Sequence, residues 1–448
     1  MSRRRSATAH DRGDGAMARA VGGLDLSSIL GQAVDFRYKG FPPTDGAVTV
    51  GTIGAQRWNA RAGDLLLPLI VLKERALAHN IELMARYCRT HGLSLAPHGK
   101  TPMSPQLVDR QLGAGAWAVT AATVHQARVF RAFGCGRILI ANEIVEPAAA
   151  RWLAAELARD PRFECFVLVD SEAGVGALTR ALEPDAPSRR LPVLVEIGAP
   201  GGRAGCRTGA EAAAVARAVC RSARLELAGV EAYEGAVPAS AAADRVDAVN
   251  RFLRGVRATA ETLIAQDVFA GRREIIVSAG SSLFVDRVAE LWAPPWAAAA
   301  PVRVVVRCGA YVAHDVDEYA HLSPFAGRGA GPARMLPALE LLAVVLSRPE
   351  PELAIVGFGK RDAPYDVRLP VPTWVWRDGS GRAIGDGAAV TALNDQHAFV
   401  RLPAGADLRV GEVVGFDVSH PCTTFDKWRL VPLVDDAYTV TGGILTFF

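Results

Sequence analysis

Paired cysteines, long apolar runs and a strong charge of either sign are all missing from this sequence. No uninterrupted stretch reaches the ~18 apolar residues of a membrane span, since prolines break the segment WAPPWAAAAPV. The net charge is only +3, and no basic stripe carries interleaved aromatic residues. Neither a membrane protein nor a nucleic-acid binder is therefore indicated, and the composition favours a globular enzyme.

The cysteines are odd in number, scattered and without a CxxC pair, so neither a disulfide framework nor a closed zinc finger is expected. They are Cys88, Cys135, Cys165, Cys206, Cys220, Cys308 and Cys422. Unpaired cysteines of this kind are expected in the reducing cytoplasm. The arginine-containing start is broken by polar residues before any apolar run of signal-peptide length, and Met17 is an alternative start. We therefore predict a cytoplasmic protein whose residues 1–60 form a partly disordered extension.

From residue 94 short apolar runs alternate with longer amphipathic segments. Eight runs are strand candidates: 94–100, 116–123, 137–143, 163–170, 192–198, 226–234, 274–280 and 303–311. Each is nearly continuous in apolar residues, as in strands buried on both faces, and helical patterns such as 147–160 and 244–267 separate them. An open doubly wound sheet would normally show a glycine fingerprint after its first strand, and HGKTPMSP is not one. The pattern predicts a (β/α)8 barrel over 61–315.

After residue 315 the segments become short, alternating and separated by glycine, proline and aspartate turns. This pattern is typical of antiparallel strands and predicts a C-terminal all-β domain over 316–448. The run LLLPLIVLK (65–73) precedes the barrel strands, and we expect the two domains to share it.

Active sites of (β/α)8 barrels lie at the carboxyl ends of the strands, and here those ends carry polar residues. Lys100 ends the first strand, in a chain with only five lysines. Desolvation and nearby arginines could lower its pKa enough for Schiff-base chemistry, although a lone strand-end lysine is more often an ordinary surface group.

Two further segments predict ligand contacts. Gly280, Ser281 and Ser282 join a strand to a helix, where backbone N–H groups and hydroxyls suit a phosphate dianion, although the same residues also make ordinary helix caps. The loop GAPGGRAGCRT (198–208) follows the fifth strand, and its Arg203 or Arg207 could meet an acidic or aromatic-nitrogen group of a ligand. A flexible loop with solvated arginines is the alternative.

Six motifs together resemble the fold-type III pyridoxal-phosphate enzymes: PHGKT (97–101), RQLGAGAWAVTAATVHQARV (110–129), GGRAG (201–205), VEAYEG (230–235), VSAGSS (277–282) and SHPCTTFDKW (419–428). This group contains alanine racemases, D-threonine aldolases and D-serine dehydratases, and the chain is most similar to the D-serine dehydratase-like, or amino-acid deaminase, branch. The resemblance covers about residues 60–448 and implies a homodimer that binds pyridoxal 5'-phosphate.

The resemblance also implies roles for single residues. Lys100 corresponds to the lysine that bonds to the cofactor, and Gly280, Ser281 and Ser282 to the loop that holds its phosphate. Arg203 resembles the arginine near the pyridine nitrogen of the racemases, and Tyr233 a tyrosine at the cofactor.

The C-terminal motif SHPC predicts a metal site. His420 and Cys422 are two residues apart, so on a strand both side chains would leave the same face and could hold Zn²⁺ or another divalent metal. A buried cysteine beside a structural histidine is a commoner arrangement. A pair of this type resembles the dehydratase zinc site, whereas the aldolases tend to offer histidine and a carboxylate. His397 is a further candidate near the site.

These features favour a lyase that converts a 3-hydroxy-D-amino acid, such as D-serine, to a 2-oxo acid and ammonia. Loss of the 3-hydroxyl proton instead would cleave the Cα–Cβ bond and make the chain an aldolase. An amino-acid racemase ranks third. A cofactor-carrying protein without turnover is the alternative from another class, and the β domain argues against it.

Overall fold

The fold is taken from a computed structural model that describes residues 23–44, 46–183, 189–239, 244–293, 295–316, 318–326, 328 and 333–448. Of the extension predicted over residues 1–60, residues 1–22 and 45 lie outside these ranges. Residues 23–60 begin with helix α1 (Ser27–Leu30), followed by strands β1 (Ala33–Val34) and β2 (Val48–Thr49), which pair antiparallel, and a 3₁₀ helix (Val50–Gln56). Ile29, Val34 and Ile53 are buried in the core of the C-terminal domain.

The barrel is formed by eight parallel strands of the described chain. They are β4 (Ser94–Leu95), β5 (Val119–Ala121), β6 (Arg137–Glu143), β7 (Glu164–Val169), β8 (Leu191–Ile197), β9 (Leu225–Ala232), β10 (Ile275–Ala279) and β11 (Val302–Val306). Small and branched apolar side chains such as Ala96, Leu139, Leu194 and Val305 fill its interior. Each strand falls within one residue of a predicted run or inside it.

Strand β3 (Leu69–Lys73) and helix α2 (Glu74–Thr90) precede the barrel, and helices follow its strands. These are α3 (Pro105–Gly113), α4 (Val124–Ala132), α5 (Pro147–Arg159), α6 (Glu172–Leu182), α7 (Gly209–Arg221), α8 (Arg245–Ala265) and α9 (Val285–Trp292). Thr123, Ser171 and Thr208 cap α4, α6 and α7 by accepting a backbone N–H three residues on. None of the described helices is long and apolar enough to cross a bilayer.

The sheet closes between its first and last members, which distinguishes a barrel from an open sheet. Its order runs β4-β11-β10-β9-β8-β7-β6-β5. Although β4 is shorter than the predicted strand 94–100, its extended continuation pairs with β5. Thr120 donates its N–H to the Pro97 carbonyl at 2.9 Å and accepts from Gly99 N–H at 2.8 Å. The predicted (β/α)8 barrel with a C-terminal all-β domain is confirmed.

Helix α10 (Glu318–Leu322) leads to the second domain, in which β3 joins nine C-terminal strands. These are β12 (Leu339–Glu350), β13 (Leu353–Val356), β14 (Val371–Arg377), β15 (Ser380–Ala383), β16 (Ala389–Leu393), β17 (Ala398–Arg401), β18 (Val413–Asp417), β19 (Leu430–Val434) and β20 (Val440–Leu445). One short helix, α11 (Pro421–Phe425), lies between β18 and β19. Because β3 pairs with β12 and β19, a strand from the range predicted for the barrel completes this sheet.

Candidate active site

A cavity of about 270 Å³ opens at the carboxyl ends of the barrel strands, where the β domain covers them. All eight predicted site residues line it: Lys100, Arg203, Tyr233, Gly280, Ser281, Ser282, His420 and Cys422. The first six come from the barrel and the last two from the segment between β18 and β19. The fold thus gathers at one place residues that lie as far as 322 positions apart in the sequence.

Lys100 lies in the tight turn that follows the continuation of β4. A side chain at Gly99 would meet the Phe130 ring at 2.4 Å, so the backbone there lies directly against helix α4. Burial lowers the pKa of the Lys100 amine, and the charges of Arg203 and Arg307 lower it further, while Cys422 opposes them. The amine is therefore more easily deprotonated than that of an exposed lysine.

His98 lies two residues before Lys100 and lines the same cavity. Burial holds the pKa of its ring well below the ordinary value, and the neighbouring cations Lys100, Arg307 and Arg203 reinforce this. Its Nδ1 is buried and has no hydrogen-bond partner among the described residues. The site thus contains a neutral imidazole with one unused polar atom.

His420 and Cys422 do not lie on a strand, and the expected strand geometry is wrong. Three residues separate Pro421 from the end of β18, and Pro421 begins helix α11 because proline lacks an N–H and suits the first helical position. The two side chains still act on each other, since each shifts the pKa of the other. The Cys422 sulfur also lies 3.3 Å from the Thr101 hydroxyl.

The electrostatics of this pair favour a thiolate beside an imidazolium. Burial opposes ionisation of Cys422, yet its pKa is lowered because His420, Thr101 and Lys100 stabilise the thiolate. The interaction with Cys422, together with Asp366, raises the pKa of His420 to about 9. Asp366 Oδ2 lies 2.6 Å from His420 Nδ1, which leaves Nε2 as the ring nitrogen for another partner.

The turn at residues 280–282 joins β10 to α9 as predicted, but the backbone N–H groups of Gly280 and Ser281 are already used. The N–H groups of Gly280 and Ser281 donate to the two carboxylate oxygens of buried Glu234, at 3.0 and 2.7 Å. The Ser282 hydroxyl is buried without a hydrogen-bond partner in the described chain. An anion at this turn would therefore find a free hydroxyl at Ser282.

The two arginines of the glycine loop 198–208 make different contacts. Arg207 turns back and donates to the carbonyl groups of Ala204 and Gly205 at 2.8 and 2.9 Å, so it stabilises the loop itself. Arg203 lines the cavity, with its guanidinium 4.9 Å from the centre of the Tyr233 ring. Of the two candidates, Arg203 is the one available to a ligand.

Sequence reasoning missed several cavity residues, among them Arg307, Gly309, Ala310 and Tyr319. Arg307 is 3% exposed and pairs with Glu231, which is 1% exposed. In the segment RCGAY (307–311) a glycine comes just after strand β11, as Gly280 in SAGSS comes just after β10. This similarity between the two strand ends was the sequence signal that could have identified these residues. A side chain at Gly309 would lie 2.8 Å from both His98 Cβ and Thr101 Oγ1.

His397, expected near the site, is exposed in the turn between β16 and β17 and is not among the residues that line the cavity. The expectation is wrong for this cavity, because the turn packs within the β domain: the Asn394 and Asp395 carbonyls accept the N–H groups of Lys360 and Arg361. No cluster of three or more His, Cys, Asp or Glu side chains suited to a metal occurs among the described residues. Any metal held by His420 and Cys422 would need water or substrate for its remaining positions.

A family model and several known proteins are similar in sequence to this chain. Residues 338–434 match the family model described as "Putative serine dehydratase domain". D-threonine aldolase from Arthrobacter sp. is 27% identical over 392 residues, covering 86% of this chain and 93% of the relative. 3-Hydroxy-D-aspartate aldolase from Paracoccus denitrificans is 26% identical over 312 residues, covering 68% of this chain and 75% of the relative.

Solved structures share the fold. D-threonine aldolase from Filomicrobium marinum has a TM-score of 0.69 and 26% identity, covering 86% of this chain and 96% of that protein. D-threo-3-hydroxyaspartate dehydratase from Delftia sp. HT23 has a TM-score of 0.65, 23% identity and coverage of 86% and 98%. An alanine racemase-like protein from Idiomarina loihiensis has a TM-score of 0.66, 18% identity and coverage of 85% and 96%. The predicted resemblance is confirmed: this chain is a homologue of the D-threonine and 3-hydroxy-D-aspartate aldolases, with a serine dehydratase-type domain and the alanine racemase-like, fold-type III architecture.

Proposed function

We propose that the chain is a pyridoxal-phosphate-dependent, metal-assisted lyase of 3-hydroxy-D-amino acids. Its reaction on D-serine would give pyruvate and ammonia. The observation that carries the proposal is that Lys100 lines one cavity with both the Ser281–Ser282 turn and the His420–Cys422 pair. The homology to D-amino-acid aldolases and the match to the serine dehydratase model support the same reaction class.

The residues of the cavity fit the cofactor. Lys100 offers an amine of lowered pKa, and Ser282 offers a buried hydroxyl without a partner. Arg203 and Arg307 are the cations available to the ring nitrogen or ring oxygen, and Tyr233 is the aromatic neighbour of Arg203. When bound, pyridoxal phosphate supplies a carbonyl that condenses with the substrate amine and a ring that withdraws electrons from Cα.

Lys100 is the proposed base. With its amine free, it accepts the proton from Cα, because its lowered pKa leaves a larger fraction unprotonated near neutral pH. Departure of the 3-hydroxyl with a proton completes the loss of water. The released aminoacrylate then hydrolyses to pyruvate and ammonia.

His420 and Cys422 are the proposed metal ligands. An imidazole nitrogen and a thiolate are donors that Zn²⁺ accepts, and Asp366 orients the ring as carboxylates commonly do behind zinc-bound histidines. When bound, such a metal supplies a Lewis acid for the 3-hydroxyl oxygen.

Retro-aldol cleavage is the second candidate. The curated relatives that match over most of their length are aldolases. In addition, His98 is a neutral imidazole in the cavity, as a base for the 3-hydroxyl proton must be. This route would break the Cα–Cβ bond and release glycine and an aldehyde.

The test combines both product assays. The chain is supplied with pyridoxal phosphate and zinc, then given D-serine or D-threonine, with L-serine as the stereochemical control. We expect pyruvate and ammonia from D-serine, loss of activity with chelator, and loss with either Lys100→Ala or Cys422→Ala. Glycine and acetaldehyde from D-threonine, without pyruvate from D-serine, would establish the aldolase instead. Absence of both product pairs would refute the lyase proposal.

A further inference from the structure

Glu234 has no part in the chemistry above, yet it occupies an unusual position. It follows β9 directly, in the 3₁₀ turn Glu234–Ala236, and is 1% exposed. Its Oε2 accepts the Gly280 N–H at 3.0 Å and its Oε1 accepts the Ser281 N–H at 2.7 Å. A protein carboxylate thus takes two of the three backbone N–H groups that the sequence pattern offers to a phosphate.

Burying the charged carboxylate of Glu234 costs free energy. Burial raises the pKa of Glu234 to about 7, although the N–H donors and Arg307 stabilise its charged form. Hydrogen bonds to a charged acceptor are the stronger kind, and here two of them hold one turn. The arrangement therefore fixes the backbone of residues 280–282 against the end of β9.

Other donors remain for a phosphate group. The Ser282 hydroxyl is buried and has no partner in the described chain. The N–H groups of Gly309 and Ala310, just past the neighbouring strand β11, donate to no described residue, and both residues line the cavity. These three donors lie at the ends of adjacent strands, beside the turn that Glu234 holds.

We propose that Glu234 is a positioning residue for the cofactor phosphate: it fixes the 280–282 turn so that Ser282, together with the Gly309 and Ala310 N–H groups, receives the phosphate, while Gly280 and Ser281 do not. This inference rests on the proposed function, since it requires pyridoxal phosphate in this cavity. The opposite arrangement is also chemically coherent, because a phosphate could displace the carboxylate and take the same two N–H groups.

Glu234→Gln distinguishes the two arrangements. Glutamine keeps the shape but has one accepting oxygen, so one of the two turn N–H groups loses its partner. Binding of pyridoxal phosphate and of pyridoxal, which lacks the phosphate, is measured on the cofactor-free protein by absorbance. We expect the affinity for pyridoxal phosphate to fall about tenfold or more, with less than about twofold change for pyridoxal.

Two further variants control for general damage. Glu196→Gln alters another buried acid, 3% exposed on the neighbouring strand β8, and should leave the ratio of the two affinities unchanged. Ser282→Ala removes only the free hydroxyl, so it keeps the inference testable if Glu234→Gln fails to fold. It should weaken pyridoxal phosphate alone.

The outcomes are distinct. A higher affinity of Glu234→Gln for pyridoxal phosphate would show that the phosphate displaces the carboxylate and would overturn the inference. An equal loss for both compounds would overturn it too, since the effect would not involve the phosphate. If the wild-type chain bound neither compound through Lys100, the proposed function would fall and this inference with it.

Discussion

At the scale of single residues, the site depends on how burial and neighbouring charges set protonation. Lys100 has three charged neighbours of differing effect: Arg203 and Arg307 lower its pKa, and Cys422 raises it. The pKa of Glu196 shows how strongly burial shifts protonation near this site. Desolvation, with Glu231 and Glu143 nearby, raises its pKa to about 10, so it is neutral at physiological pH.

The rate at which the cofactor-free chain captures pyridoxal phosphate should follow deprotonation of Lys100. Only the neutral amine attacks an aldehyde, so the rate should rise with pH and level off at a midpoint below the ordinary lysine value of 10.5. Arg203→Met removes one cation and should move the midpoint upward. Stopped-flow absorbance measures this, with the exposed Lys360→Ala as a control. A midpoint unaffected by Arg203→Met would contradict the assignment.

Asp366→Asn should weaken metal binding. The carboxylate holds the Nδ1 of His420 and also accepts the Thr423 hydroxyl at 2.9 Å, so its loss frees the ring to rotate. Partners of this kind commonly contribute 10–100-fold in metal affinity, roughly the loss expected here. Zinc competition titrations measure it, with exposed Asp386→Asn as the matched control. Equal affinities in the two variants would exclude this role for Asp366.

At the scale of elements, the ends of β4 and β11 approach each other so closely that only glycine fits between them. The Cα of Gly309 faces His98 and Thr101, the flanks of Lys100. The sequence pattern marks these segments as strand ends, but it does not show that the two strands are neighbours. That adjacency arises from closure of the barrel.

Gly309→Ala should therefore destabilise the barrel mouth. The added methyl would lie 2.8 Å from His98 Cβ and Thr101 Oγ1, and overpacking of this kind costs about 1–3 kcal/mol. We expect a lower melting temperature together with weaker cofactor binding. Gly255→Ala, in helix α8 with open space at its Cβ, is the control and should be neutral or stabilising. Similar melting temperatures for both variants would show that the mouth relaxes freely.

At the scale of the whole molecule, the cavity exists because the β domain docks on the barrel. The side-chain amide of Gln106 on α3 both donates and accepts a hydrogen bond with the last strand. Its Nε2 donates to the Gly443 carbonyl and its Oε1 accepts the Leu445 N–H, each at 3.0 Å. This buried side chain thus ties a barrel helix to β20. The same docking brings α11, with His420 and Cys422, over Lys100.

Gln106→Leu should loosen this attachment. Leucine matches the size but leaves two buried backbone groups without partners, at about 1–3 kcal/mol each. Thermal unfolding should occur at a lower temperature, and zinc affinity should fall because α11 is less firmly placed. Exposed Gln266→Leu is the control. Unchanged zinc affinity in a destabilised Gln106→Leu protein would show that the metal pair is held independently of the docking.

The sequence by itself determined the strands, the helices and the barrel, and it indicated eight of the residues that line the cavity but not Arg307, Gly309, Ala310 or Tyr319. The strands and the barrel follow from local apolar periodicity, whereas the site residues were indicated by the strand ends and by the resemblance of their motifs to the fold-type III enzymes. Only the tertiary structure decided which partner each polar group finds. Glu234 reaches Gly280 and Ser281 across 46 and 47 residues, and Asp366 reaches His420 across 54. Such pairings depend on the path of the backbone between distant segments, because hydrogen bonds form between groups that packing brings together, whatever their separation in sequence.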